Sequence, residues 1–192
     1  MTEPVPALTL CQAPASQLIV IDVQERLAAH MPPRDLAAAV ANINRLIDTA
    51  RLLEVPVILT QQYTQGLGPT LAGICAHLPP DLACIEKTSF SCCGAPAFAT
   101  QLQRHPQRRQ LILVGMETHV CVLQTAAGLQ QLGYQVCVVG DAVCSRDPAN
   151  RERALARMAG AGVQVVASES VAFEWLVDSS HARFREVSPL YK

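Results

Sequence analysis

The sequence predicts an α/β fold, a three-layer α/β/α sandwich around a mostly parallel, doubly wound sheet. Two observations carry the prediction. Short apolar, β-branched runs alternate with longer segments whose apolar residues recur at helical spacing. The runs are apolar almost throughout instead of alternating with polar residues, the pattern of strands covered on both faces.

In chain order, Leu18 to Ile21 reads as the first buried strand. Residues 35 to 54 follow as a helix, with Leu36, Val40, Ile43, Ile47 and Ala50 at helical spacing and Pro32 and Pro33 as a start signal. Val55 to Leu59 is the second strand, and the short run Ala83-Cys-Ile-Glu86 comes after it. Leu111 to Val114 leads into a helix that begins near His119 and closes at Gly133. Val136 to Val139 precedes a helix with Asp147 as N-cap and Pro148 at its first position, ended by Gly160 and Gly162. Val163 to Val166 is the last strand. No Pro/Gly/Ser-rich linker or composition break divides the 192 residues, so one domain, 1–192, is expected.

Hydrophobic residues make up 50% of the chain and charged residues 16%, against about 25% charged in an average globular protein. Apolar surface is left over once a core is filled, and a homo-oligomer, at least a dimer, is the expected way to cover it. The formal net charge is -1 with no basic run, which argues against nucleic acid or an anionic membrane as partner and for a small molecule. Met1-Thr-Glu-Pro-Val-Pro has no leader pattern, and no apolar run approaches the roughly 18 residues of a membrane span. The eight cysteines include no Cys-x-x-Cys pair, so neither a zinc site nor a redox dithiol is indicated, and reduced thiols in a cytoplasm are expected.

Ligands of doubly wound sheets bind at the carboxyl ends of the strands, and three chemically active residues are expected at that edge. Asp22 closes the first strand, Lys87 follows the Ala83–Glu86 run, and Cys121 starts the helix after the Leu111–Val114 strand. A carboxylate, an ammonium and a thiol at one edge supply a base, a charge that favours thiolate, and a nucleophile. The helix N-terminus and Lys87 predict a Cys121 thiol that ionises well below its free value of roughly 8.5, with Asp22 opposing them.

These residues lie in four segments: Ile19-Val-Ile-Asp-Val-Gln24, Glu86-Lys-Thr-Ser-Phe-Ser91, Gly115-Met-Glu-Thr-His-Val-Cys-Val122 and Asp141-Ala-Val-Cys-Ser-Arg146. Through them nearly the whole chain resembles the isochorismatase-like cysteine hydrolases, the superfamily of nicotinamidases and N-carbamoylsarcosine amidohydrolases. Arg51-Leu-Leu-Glu-Val-Pro-Val57 and Gln62-Tyr-Thr-Gln-Gly-Leu-Gly-Pro-Thr70 bring it nearer the isochorismatase domain-containing subgroup. The resemblance implies Asp22 as general base, Lys87 as the cation assisting thiolate formation and Cys121 as nucleophile, in an enzyme needing no cofactor. It also implies a cis peptide between Met116 and Glu117, with the N–H groups of Glu117 and Cys121 forming an oxyanion hole.

Metal-binding nicotinamidases carry an Asp-x-His pair and a further histidine after the second strand. Thr60-Gln-Gln-Tyr-Thr64 stands there in this chain, so no metal is expected. Isochorismatases cleave a vinyl ether and can operate without the cysteine. The presence of Cys121 therefore favours C–N hydrolysis of a small amide or carbamoyl compound through a covalent adduct. Vinyl ether hydrolysis and a catalytically idle binding or scaffold homologue are the alternatives. A dehydrogenase is disfavoured, because Ile21-Asp-Val-Gln-Glu-Arg26 replaces the Gly-rich phosphate loop after the first strand.

Gln24, Gln62, Tyr63 and Phe90 are candidate substrate contacts, since each follows a strand end or flanks a catalytic position. His119, two residues from Cys121, does not face it on a helix and is assigned to hydrogen bonding at the helix terminus. Cys92 and Cys93 read as loop or pocket filler, Arg146 and Asp141 as ties for the loop after the fifth strand, and Phe173 and Trp175 as core or interface.

Overall fold

A computed structural model describes residues 9–192, so the reading of Met1 to Pro6 lies outside the described residues. Six strands, β1 (Ser16–Ile21), β2 (Val57–Gln62), β3 (Cys84–Lys87), β4 (Gln110–Met116), β5 (Gln135–Cys144) and β6 (Gln164–Val166), form a sheet in the order β3-β2-β1-β4-β5-β6. Every neighbouring pair is parallel. The chain winds outward from β1 to β3, then returns to lay β4 on the other edge of β1. That reversal makes β1 and β4 the switch point, where the connections diverge and leave a crevice beyond the strand ends.

Side-chain alternation divides the core between two faces. Leu18, Val20, Val57, Leu59, Ile112 and Val114 pack against Ile43, Leu46 and Ile47 of the Pro33–Leu52 helix and Val171 and Trp175 of the Ser168–Leu176 helix. Ile19, Ile21, Ile58, Leu111 and Leu113 pack on the opposite side against Phe98, Leu129, Leu155 and Met158 from the Pro96–Leu102, Leu123–Gln131 and Pro148–Gly160 helices. Burial on both sides explains why these strands are continuously apolar. Trp175 is a core residue whose indole N–H donates to Ser16 Oγ at 2.9 Å, whereas Phe173 is partly exposed beside the Phe184 and Tyr191 rings.

The strand limits differ from the sequence reading where backbone pairing and hydrophobicity part company. β2 begins at Val57 and not Val55, because proline has no N–H to place in a ladder; the Pro56 carbonyl still accepts from Leu18 N–H at 2.9 Å. It then continues through the polar Gln61 and Gln62, which pair with Glu86 and Lys87, so Lys87 belongs to β3 and does not follow it. β5 likewise runs past Gly140 and Asp141 to Cys144, with a shift of register between Leu113 and Gly115 on its partner β4. The Asp147 carboxylate accepts from Ala149 N–H at 2.9 Å, capping the Pro148–Gly160 helix as expected. Among the described residues no helix is long and apolar enough to cross a membrane.

Candidate active site

Asp22 is the residue after β1, and its backbone turns to a φ of 51°, in the left-handed region that aspartate tolerates better than most residues. Thr60, inside β2 and in register with Ile21, holds it twice. Its carbonyl accepts from Asp22 N–H at 3.2 Å, and its hydroxyl donates to Asp22 Oδ1 at 2.8 Å. The second carboxylate oxygen, Oδ2, accepts from Lys87 Nζ at 2.7 Å, and both side chains are fully buried. Burial of either charge alone costs several kcal/mol, roughly, so each requires the other.

Lys87 reaches this position from the sheet edge, across the end of β2. Its ammonium also donates to Gln62 Oε1 at 2.8 Å and to the carbonyls of Ser89 and Phe90, each at 3.1 Å. Those oxygens outnumber an ammonium's three hydrogens, so Lys87 has no donor left to aim at a ligand.

Cys121 approaches from β4. Gly115 makes that approach possible: at its φ of 116° a Cβ would lie 2.0 Å from the Ile21 carbonyl oxygen, so β4 can close on the end of β1 only without a side chain. The Met116–Glu117 peptide is cis. A wide π-type turn, Thr118–Val122, then leads into the Leu123–Gln131 helix and carries Cys121 in its first turn. Glu117 anchors the same turn, its carboxylate accepting from Arg146 N–H at 3.0 Å and facing Arg146 Nη2 at 3.4 Å. His119 Nδ1 lies 3.0 Å from Ser145 Oγ.

The electrostatics correct the expectation of an acidic thiol. Burial pushes the Cys121 thiol up from its usual range; the nearby Asp22 charge pushes the same way, while Lys87 pulls it down. Lys87 is already matched by Asp22, and Cys121 is only 5% exposed, so little net positive charge or water remains to hold a thiolate. The resting group is a thiol beside the Asp22 carboxylate.

Two of the four expected substrate contacts are structural. Gln24 is fully buried, and its amide clasps the β2 end: Oε1 accepts from Gln62 N–H at 2.7 Å, and Nε2 donates to the carbonyls of Gln62 at 3.0 Å and Gly68 at 2.7 Å. Gln62 gives Oε1 to Lys87 and donates Nε2 to the Thr88 carbonyl at 2.7 Å. The Gln24 amide is fully engaged, and Gln62 commits its oxygen and one N–H to the protein, because buried backbone groups and an ammonium need those partners first. Tyr63 and Phe90 are exposed. Tyr63, with Lys87, Thr88 and Ser89, lines a cleft of about 430 Å³ beside β3, but neither Asp22 nor Cys121 belongs to its wall. The cleft is therefore adjacent to the three-residue cluster and not centred on it.

Asp141 accepts from Ser168 N–H and Oγ, each at 2.8 Å, so it ties β5 to the Ser168–Leu176 helix, and Arg146 ties the neighbouring loop to Glu117. Among the described residues no group of three or more His, Cys, Asp or Glu is arranged to hold a metal. Thr60 was not singled out from the sequence. Its signal was a hydroxyl residue ending an apolar strand in register with Ile21, one residue before Asp22.

A match to the isochorismatase domain family spans residues 16–170. Isochorismatase domain-containing protein 2 from Bos taurus is 38% identical over 97% of this chain and 88% of its own length. A secreted isochorismatase effector from Phytophthora sojae is 37% identical, covering 93% and 85% respectively. Among solved structures, the MAR1 ribonuclease from Caenorhabditis elegans superposes with a TM-score of 0.89 at 36% identity, covering 95% of this chain and 92% of that one.

Proposed function

Since the chain belongs to the isochorismatase family of hydrolases, we propose that it is a cofactor-independent cysteine hydrolase cleaving a C–N bond of a small amide or carbamoyl compound. The observation that carries the reading is the convergence of a buried Asp22–Lys87 pair and a buried thiol, Cys121, within electrostatic reach of that same carboxylate at the switch point of the sheet.

In this reading Cys121 gives its proton to Asp22 as sulfur attacks the substrate carbonyl carbon. The N–H groups of Glu117, at the N-cap, and of Cys121, in the first turn where N–H groups lack intrahelical partners, receive the developing oxyanion. The C–N bond breaks as Asp22 returns the proton to the leaving amine, and a thioester remains on Cys121. Water then gives a proton to Asp22 and its oxygen to the acyl carbon, releasing the acid and restoring the thiol. Lys87 transfers no proton in this reading; bonded to Asp22 Oδ2, it keeps the carboxylate anionic and oriented. Burial of the thiol suits this division of labour, because the nucleophile forms only when a substrate is in place to accept it.

The ribonuclease description of the nematode relative places RNA among the substrates to be tested. The basic residues of the cluster, Lys87 and Arg146, each face a carboxylate, an arrangement unsuited to phosphate neutralisation. The deciding experiment screens small amides, carbamoyl compounds, vinyl ethers and RNA against wild type and Cys121→Ala, with intact mass spectrometry to trap the adduct. Amide or carbamoyl turnover, lost in Cys121→Ala and accompanied by an acyl mass on Cys121, is expected. Vinyl ether turnover that survives Cys121→Ala would replace this reading with the isochorismatase reaction. Turnover of nothing would leave the scaffold.

A further inference from the structure

We propose that Thr60 is a positioning residue for the reaction, its hydroxyl holding the Asp22 carboxylate in the orientation and charge state from which it takes the Cys121 proton. The inference rests on Asp22 being the base. Thr60 binds that one residue through both its carbonyl and its hydroxyl, at 3.2 and 2.8 Å. The double hold falls where the chain takes up its left-handed turn at Asp22, so the side-chain direction is set by Thr60 as much as by Asp22's own backbone.

The direction of the hydroxyl is also fixed. Cys92 Sγ donates to Thr60 Oγ1 at 3.8 Å, which occupies a lone pair and leaves the Thr60 hydrogen for Asp22. Lys87 takes Oδ2 and Thr60 takes Oδ1, so both oxygens are pinned and the carboxylate cannot spin while a proton moves. The titratable groups acting around Asp22 are Lys87 and Cys84 from β3, Cys92 from the turn Cys92–Gly94, and Cys121 from the turn after β4. Lys87 supplies charge; Thr60 supplies a neutral hydrogen bond that favours the ionised carboxylate over its protonated form.

Removing that hydroxyl takes the hydrogen bond off Asp22 Oδ1 and leaves its negative charge less compensated, so it opposes a Cys121 thiolate more strongly and moves Cys121 reactivity to higher pH. The test is the initial rate of Cys121 carbamidomethylation by iodoacetamide from roughly pH 5 to pH 10, read peptide by peptide by mass spectrometry. It needs no turnover and no known substrate. Thr60→Val, which is nearly isosteric, is expected to shift the profile to higher pH, read as about three- to tenfold slower labelling of Cys121 at each pH across the range. Thr60→Ser should restore the wild-type profile. In an Asp22→Asn background Thr60→Val should produce no further shift.

A folded Thr60→Val protein with the wild-type profile, or a shift that persists in Asp22→Asn, would overturn the inference. If Thr60→Val does not fold, Thr60→Ala removes the same hydroxyl without adding a methyl group, and the same comparison decides. Should Asp22→Asn alone leave the Cys121 profile unmoved, the failure is that of Asp22 as base and thus of the proposed function. An Asp22→Asn effect with no Thr60→Val effect refutes the positioning role alone.

Discussion

Replacing Lys87 with methionine strips the ammonium from four oxygens and leaves a fully buried Asp22 with Thr60 as its side-chain hydrogen-bond donor. Asp22 then has one escape, which is to fold in its protonated form. Taking a carboxyl with an unfolded pKa near 3.9 to the neutral form costs about 1.4 kcal/mol for each pH unit above that value, hence about 4 kcal/mol at pH 7 and about 1.5 at pH 5. The figure at neutral pH falls within the roughly 3 to 5 kcal/mol measured when one partner of a buried pair is removed. It is a large share of the roughly 5 to 15 kcal/mol that holds a domain folded. Urea unfolding of wild type, Lys87→Met, Asp22→Asn and the double variant, each at pH 5 and pH 7, measures it. The Lys87→Met deficit should grow with pH, and the double variant, which buries no charge, should recover most of the loss. A deficit below about 1 kcal/mol at pH 7, or a double variant no more stable than Lys87→Met, would refute the view that the pair is a closed, mutually dependent unit.

The fold was legible because its physics is local. A strand covered on both faces must be apolar at successive positions, and Leu18 to Ile21 and Leu111 to Val114 are; helix ends must satisfy backbone groups, and Asp147 with Pro148 announces one. Strand limits were less legible, since pairing continues wherever a neighbour supplies partners. Gln61 and Gln62 belong to β2 because Glu86 and Lys87 lie beside them, which no single-strand pattern reveals.

The gathering of Asp22, Lys87 and Cys121 at one edge was also legible, since the strand-end rule needs only the order of elements. The duties of the surrounding glutamines were not. Gln24 and Gln62 look like ligand contacts until their amides are seen to serve carbonyls, a backbone N–H and an ammonium contributed by residues up to 44 positions away. Thiol acidity failed for a related reason. The sequence puts Cys121 beside a helix terminus and a cation, but only the folded arrangement shows that the cation is spent on Asp22 and that the thiol is buried.

Gly115→Ala should cost about 2 to 6 kcal/mol, from an unfavourable φ plus a Cβ driven into the Ile21 carbonyl; an unchanged thermal midpoint would contradict this. Sedimentation at micromolar concentration should show self-association, since Leu10, Phe173 and Val177 are exposed around a common groove; a single monomeric species would remove that expectation. Hydrolysis, once a substrate is found, should survive a chelator, because Gln62 at the β2 end is committed to Lys87 and Thr88; loss restored by added zinc would refute it. Stability should fall in alkali. Burial lifts Cys92 to about 11 and Cys144 to about 12, whereas both thiols ionise near 8.5, roughly, in the unfolded chain. Above that pH the unfolded chain binds fewer protons than the folded one, so stability declines as pH rises, by about 1.4 kcal/mol per unit for each thiol. Cys92 and Cys144 together contribute about 5 kcal/mol of that loss by roughly pH 10.5, and the other raised thiols add to it. Cys92→Ala and Cys144→Ala should each make the decline shallower by about 1.4 kcal/mol per pH unit, which separates these two groups from every other alkaline titration, the raised thiols Cys11, Cys84 and Cys121 included. Unfolding midpoints in urea that stay level from pH 8 to pH 10.5, or that fall equally in wild type and both variants, would show that these thiols do not carry the effect.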